Sequence, residues 1–342
     1  MNDDEKKQPE VRNAIEPTQR RYITQSKNKA DWKEAREALE RSRYSLDELL
    51  ARGAESVLYR GTCEGRLYCI KAVRNKLGKF IGQAITRRND EKLEKVSYRT
   101  KMRHIKNEYA VARKLYDDGP LPVVHIYALR RVKRFGLEIG YDLIMEYLRG
   151  HDLSDKNLVK NLSTEDKIKV FHQAILALGY MHRRKIIHLD IKPSNFMLYD
   201  GQVKLIDFGV SVLSGFRANA ITGTGGYLSP EQICKETLDE GTDIFALGVA
   251  FSVFFGAKPL SQTQEDLLTR QVRQEARYHL DNTTIPTVME IPELKNHPRI
   301  AELIRECTIP KRAQRINNCN VLASMLKHQA EEYGIVIPNT QT

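Results

Sequence analysis

The chain has a single tryptophan, Trp32, and only five cysteines among 342 residues. Those cysteines (Cys63, Cys69, Cys234, Cys307, Cys319) are odd in number and widely spaced, with no C-x-x-C pair. The pattern excludes a disulfide framework or a zinc site as the organising device and fits a reducing compartment. The nine histidines show no ligand spacing. No apolar run reaches the roughly 18 residues that a spanning helix needs. The nearest, Ile244 to Ala257, predicts a buried core helix. The opening residues, Met1-Asn2-Asp3-Asp4-Glu5-Lys6-Lys7, lack the apolar centre of a secretory signal. The expectation is a soluble chain, cytoplasmic or otherwise intracellular, with delivery into another cell left open.

What is present is enough apolar content, 41%, to bury a sizeable core in one large or two moderate domains. Net charge is +11, which fits either plain solubility or affinity for acidic partners. Much of it is local. Residues 72 to 107 hold eleven Lys or Arg against three acids, a balance of +8, with few aromatics (Phe80, Tyr98) and no nucleic-acid motif. We read this stretch as a solvated, partly helical insert; docking of an acidic protein or an anionic head group is the competing reading. Residues 1 to 29 are polar and aperiodic and predict a flexible arm. From Ala30 to Arg43, Trp32, Ala35 and Leu39 share one helical face and predict a short helix that docks on the domain C-terminal to it. Three strands are expected at Leu46 to Arg52, Ser56 to Tyr59 and Arg66 to Val73.

Chemistry concentrates in His188-Leu189-Asp190-Ile191-Lys192-Pro193-Ser194-Asn195. An Asp can take a proton from an attacking hydroxyl, a Lys two residues on can neutralise a transferring phosphoryl group, and an Asn five residues after the Asp can ligate a metal. Downstream, Asp207 ends the apolar run Leu205-Ile206 and precedes Phe208-Gly209. Between the two, Asp200-Gly201 is a strong two-residue hairpin signal, flanked by Phe196-Met197-Leu198-Tyr199 and Gln202-Val203-Lys204-Leu205-Ile206. Such a hairpin holds Asn195 and Asp207 together at its open end, close enough to share magnesium ions.

Together these stretches resemble the catalytic and metal-binding loops of the eukaryotic-type serine/threonine protein kinases, and matching elements run in order from Tyr44 to Lys327. The resemblance implies an α+β, bilobal kinase fold. Residues 1–43 would be an N-terminal extension, 44–148 a mostly β N-lobe with a basic insert at about 74–104, and 149–342 a mostly α C-lobe. ATP and Mg2+ are the implied cofactors. Lys71 would contact the α and β phosphates, paired with Glu108, which is taken to open a helix continued by Val111 and Leu115. Of the three loop glycines usual in the family only Gly53 remains, with Ala51 and Ser56 at the other two positions. Ser56, Val57, Cys69 and Met197 would line the nucleotide pocket. Met145 would guard its back, backbone groups of Glu146 and Leu148 would meet the adenine edge, and Asp152 would bond a ribose hydroxyl or cap the next helix.

Gly223-Thr224-Gly225-Gly226-Tyr227-Leu228-Ser229-Pro230-Glu231 resembles the end of an activation segment, with Thr224 bonding Asp190 and Lys192. His188 and Asp243 would brace the catalytic loop, and Arg315, with Arg312 as competitor, would pair with Glu231. The implied activity is transfer of the γ phosphoryl group of ATP to Ser/Thr hydroxyls of proteins. The alternatives are a small-molecule or saccharide kinase of the same fold and a pseudokinase scaffold. Leu189 stands where many kinases carry an Arg that pairs with an activation-segment phosphate, so phosphorylation at Ser211, Ser214, Thr222 or Thr224 is not expected to switch the chain on by that route.

Overall fold

The computed structural model describes residues 29–78, 96–116, 121–278 and 290–338. Residues 1–28 of the expected arm and the middle of the basic insert, 79–95, lie outside the described residues, and Lys29 already belongs to the first helix. The first helix, α1 (Lys29–Arg41), buries Trp32, Ala35, Ala38 and Leu39 on one face. It ends two residues before the expected Arg43. The Trp32 ring stacks on His125, with centroids 4.3 Å apart and planes at 22°, and His125 stacks in turn on Tyr116 at 4.2 Å. Tyr68 donates its hydroxyl to the Ala35 carbonyl at 3.3 Å. The helix is therefore packed onto the neighbouring sheet.

That sheet is antiparallel, with strands β1 (Glu48–Arg52), β2 (Val57–Cys63), β3 (Arg66–Arg74), β4 (Ile126–Arg134) and β5 (Leu137–Glu146) in the order β1-β2-β3-β5-β4. β2 continues four residues past the expected end at Tyr59. Gly61, expected in a connection, pairs with Tyr68 inside the ladder. A Cβ there would lie 2.3 Å from the Ser45 carbonyl oxygen and 2.4 Å from Ile70. This glycine marks a close approach inside a strand, not a turn. The actual turn is Glu64-Gly65, both at positive φ.

Before β4, helix α2 (Tyr98–Leu115) starts ten residues ahead of Glu108, which sits buried in its middle. Ser97 caps it by accepting the Thr100 N–H at 3.2 Å. The cations Arg99, Lys101, Arg103 and Lys106 crowd the first turns and mask the apolar period, which is why Glu108 reads as the opening.

After β5 the chain is mostly helical. Helix α4 (Thr164–His182), preceded by the short α3 (Lys156–Asn161), is capped by Ser163, which accepts the Asp166 N–H at 3.0 Å. It packs against the closing helix Cys319–Glu332. The apolar run at Ile244 lies in helix Glu240–Phe254, buried on nearly every side. Among the described residues no helix is long and apolar enough to cross a membrane. One contiguous apolar core runs from Trp32 through Ile70, Leu115 and Phe196 to Leu326, so the sheet and the helical part share it.

Replacing Trp32 by Ala should cost about 3 kcal/mol through lost burial and the cavity left behind. A denaturant titration checks this against Lys33→Ala, which touches only an exposed ion pair with Glu37 and should shift stability by less than about 0.5 kcal/mol.

Candidate active site

The short strand Ile186–Ile187 delivers the chain to the loop His188–Asn195, and a fully buried carboxylate fixes the loop's path. Asp243 accepts the backbone N–H groups of His188 at 2.7 Å and Leu189 at 2.8 Å, and it bonds the His182 ring at 2.9 Å. Burial opposes a charge on His182, but contacts with Cys319 and Asp243 outweigh it and push its pKa up to about 10. Leu189 adopts φ 68°, a conformation costly for a branched side chain, which the bonds to Asp243 hold in place. The His188 ring donates from Nε2 to the Ile206 carbonyl at 3.0 Å and accepts the Asp190 N–H at Nδ1. It thereby ties the loop to the segment that carries Asp207.

Asp190 then closes a polar ring. Thr224 donates its hydroxyl to Asp190 Oδ1 at 2.6 Å, and Lys192 Nζ donates to Asp190 Oδ2 and to Thr224 Oγ1, both at 2.8 Å. Asn195 turns its amide N–H toward the Asp190 carbonyl at 2.6 Å. Strands Phe196–Tyr199 and Gln202–Leu205 pair across the Asp200-Gly201 turn, whose residues have φ 48° and 72°. At the open end Ile206 N–H bonds the Asn195 carbonyl at 2.9 Å, so Asn195 and Asp207 emerge side by side.

Asp207, itself at φ 65°, shares Lys71 with Glu108. Lys71 Nζ lies 2.8 Å from Glu108 Oε2 and 2.9 Å from Asp207 Oδ1. Burial opposes the charge on Lys71, but the two carboxylates outweigh it and push its pKa up. Burial pushes Glu108 up to about 7 against the pull of Lys71. Burial also opposes ionisation of Asp207, yet Lys71 holds its pKa down at about 2. Asp207 uses Oδ1 for Lys71 and for the Gly209 N–H, and its side chain is 44% exposed to the cleft. Among the described residues no group of three or more His, Cys, Asp or Glu is arranged to hold a metal. The hard-oxygen pair Asn195 and Asp207 instead fits magnesium, which takes one or two carboxylates and completes its shell with water and phosphate oxygens.

The loop between β1 and β2 turns at Gly53, whose N–H bonds the Ser56 carbonyl at 2.9 Å. Val57 pairs with Ala72 at the start of β2, and Cys69 pairs with Met145 across β3 and β5. Burial pushes the Cys69 thiol up to about 12, leaving it a small apolar wall. The Glu146 side chain is engaged by Lys204, at 2.7 and 2.8 Å, and accepts the His125 N–H at 2.7 Å. Leu148, past the strand end, has no main-chain partner among the described residues. Met197 pairs with Asp152. The Asp152 carboxylate accepts the Ser154 N–H at 2.9 Å, and it is Asp155, accepting from Asn157 and Leu158, that caps α3.

Past Thr224, Glu231 is paired in the interior with Arg315, at 2.7 Å from Nη1 and 3.2 Å from Nη2. Arg315 also donates to the carbonyls of Ile309, Pro310 and Gly241. Arg312 bonds Thr237 and approaches Asp239 instead, so Arg315 is the partner.

Three positioning contacts have no signal in the sequence. Glu55, at the tip of the β1–β2 loop, pairs with His104 on α2 at 2.7 Å. Asn107 donates to the carbonyls of Phe208, Gly209 and Ser211. Gln232 donates to those of Leu189 and Thr222. Each joins side chain to backbone or to a distant residue, and none recurs at a spacing that a pattern could reveal.

The protein kinase domain family model matches residues 44–329. An Aurora kinase of Candida glabrata is 33% identical over 61% of this chain and 55% of its own length. A calcium/calmodulin-dependent protein kinase type 1 of Caenorhabditis elegans is 26% identical over 68% of the chain and 62% of its own length. A probable serine/threonine-protein kinase PknB of Bifidobacterium longum is 33% identical over 44% of the chain and 22% of its own length. The chain thus spans less than two thirds of the length of these curated relatives.

Breaking the Glu231–Arg315 pair strands a charge in the interior. Arg315→Ala should lower stability by about 3 kcal/mol or more, whereas Arg312→Ala should cost less than about 1 kcal/mol. Thermal unfolding of the two variants checks the assignment.

Proposed function

Since this chain belongs to the protein kinase domain family, we propose that it transfers the γ phosphoryl group of ATP to Ser/Thr hydroxyls of proteins. The observation that carries the reading is the closed ring of Asp190, Lys192 and Thr224. It faces the same cleft as the Glu108–Lys71–Asp207 chain of charges. The Asp190 carboxylate is held by donors from Thr224, Lys192 and Asn195 and can orient an incoming hydroxyl, taking its proton late in the transfer. Lys192, held by Asp190 and Thr224, carries fixed positive charge to where the phosphoryl oxygens gain negative charge. Lys71 is kept cationic by its two carboxylates and suits the α and β phosphates. Asn195 and Asp207 would hold magnesium, which when bound neutralises phosphate charge. Gly53, Ser56, Val57, Cys69, Met145, Leu148 and Met197 surround the nucleotide in this reading, while the Glu146 and Asp152 side chains serve structure.

The degenerate loop and the apolar residue before Asp190 are part of the proposal. Leu189 is buried in a cluster with Ile187, Ala218 and Leu238. Gln232 ties its carbonyl to that of Thr222. An apolar clamp and a neutral amide thus do between the catalytic loop and the activation segment what a phosphate–arginine pair does elsewhere. Ser211 is buried and bonds the His188 carbonyl, which removes it as a phosphorylation site in the folded chain.

Asp190→Ala should reduce phosphate transfer to generic protein substrates by about a hundredfold or more. ATP affinity should change little. Radiolabelled transfer together with equilibrium nucleotide binding measures both, and a variant as fast as the parent would sink the assignment. A second assay concerns regulation: the double variant Ser214→Ala, Thr222→Ala, expressed without its phosphates, should keep the parent rate. Loss of activity in that variant alone would mean that a phosphate is required.

A further inference from the structure

The β4–β5 hairpin ends in a two-residue turn, Phe135-Gly136, with φ 51° and 78°. Arg134 pairs with Leu137 across it. Turns of this hand favour Asn, Asp or Gly at the first position, because positive φ strains a bulky side chain. Here that position holds a phenylalanine, 88% exposed, followed by Leu137 at 60%. Neither the conformation nor the exposure helps the chain fold. A strained, solvated aromatic at a tip points to a use outside the fold.

Its surroundings specify the use. Arg131, Lys133 and Arg134 are exposed on the same hairpin, and the tip from Arg131 to Leu137 contains no acid. Asn75 bonds the backbone of Glu138 and Ile139, which brings Lys76 and the exposed Leu77 to the same end of the sheet. The next acid, Glu138, is turned toward the hydroxyls of Tyr98 and Tyr141. None of Lys76, Arg131, Lys133 and Arg134 forms an ion pair with an acid of the described residues; Arg134 instead lies over the Phe135 ring at 5.6 Å. The result is a hairpin tip with exposed apolar side chains and, beside them, four cations that have no acidic partner among the described residues.

We propose that this hairpin tip docks on an anionic lipid surface, with Phe135 and Leu137 entering the interface and Lys76, Arg131, Lys133 and Arg134 meeting the head groups. The chemistry is that of an interfacial anchor: apolar groups leave water while neighbouring cations stay at head-group depth. A single-stranded nucleic acid would call for a row of stacking rings along a groove, and the tip offers one ring on a point. The tip lies ten strand residues from Glu146, about 30 Å along the strand, so docking leaves the cleft open. The proposal rests on the surface alone and is independent of the phosphotransfer reading.

The test is pelleting of the full chain with vesicles of phosphatidylcholine and with vesicles that also contain phosphatidylserine. Partitioning onto the anionic vesicles should exceed that onto the neutral ones by roughly tenfold. It should fall by a similar factor in the double variant Phe135→Asn, Leu137→Thr, and again in Lys133→Gln, Arg134→Gln. Phe135→Asn suits the turn and should melt at or above the parent temperature, so loss of pelleting would not reflect unfolding. Transfer to a soluble peptide should be the same in variants and parent. Equal pelleting on both vesicle types, or parent-like pelleting of the Phe135/Leu137 variant, overturns the proposal. So does binding through these residues to an oligonucleotide but not to vesicles.

Discussion

The buried carboxylate of Asp243 is the constraint on which the site's geometry depends. A carboxylate without solvent is costly unless its lone pairs are met, and here two backbone N–H groups and the His182 ring meet them. The same bonds that satisfy Asp243 hold Leu189 in a left-handed conformation, which turns the chain immediately before Asp190. Because Asp243 sits on a helix buried on nearly every side, the loop inherits the rigidity of the core. His188 extends the constraint, reaching from the loop to the carbonyl of Ile206 and so to the segment carrying Asp207.

Two charge arrangements meet in this frame and differ in kind. The Asp190–Lys192–Thr224 ring is locally neutral and partly solvated, so its members can exchange partners at modest cost. The Glu108–Lys71–Asp207 chain places two carboxylates on one ammonium, and the more enclosed of them, Glu108, carries the strain of burial. Asp207, open to the cleft, keeps its charge. An anionic ligand close to Lys71 would therefore compete with carboxylates already in place, and a cation near Asp207 would relieve the crowding. The arrangement is poised for a ligand that brings both signs of charge.

The parts of this frame that were legible in the sequence are those set by local chemistry. The Asp200-Gly201 turn, the Ser163 cap, the apolar run at Ile244 and the spacing of Asp190, Lys192 and Asn195 each carry their own physical signal. What stayed hidden was set by distant neighbours. Gly61 reads as a turn until Ser45 and Ile70 are seen against it. The first turns of α2 disappear under their cations. Trp32 advertises burial but not its partner, because a histidine with a buried ring resembles any other histidine in sequence. The choice of Arg315 over Arg312 likewise came from a fold contact, since both lie within reach of Pro310 along the chain.

The β1–β2 loop shows why counting glycines misjudges a tight turn. At Gly53 a Cβ would lie 3.5 Å from the nearest atom, an ordinary contact, and φ there is not positive. The remaining glycine is therefore not demanded by space, and the loss of the other two removes less than the pattern suggests. Glycine in such loops supplies freedom of approach. Here Glu55 supplies a fixed anchor instead, bonded to His104 one helical turn before Glu108. That bond holds the Glu55 carboxyl below its usual range against the opposition of burial, with a further pull from Lys71 and a smaller opposition from Asp207. The loop tip is thus tied to the helix that bears Glu108 and lies within the field of Lys71 and Asp207. Loop position and helix position become one variable, because neither can shift without stretching the Glu55–His104 bond.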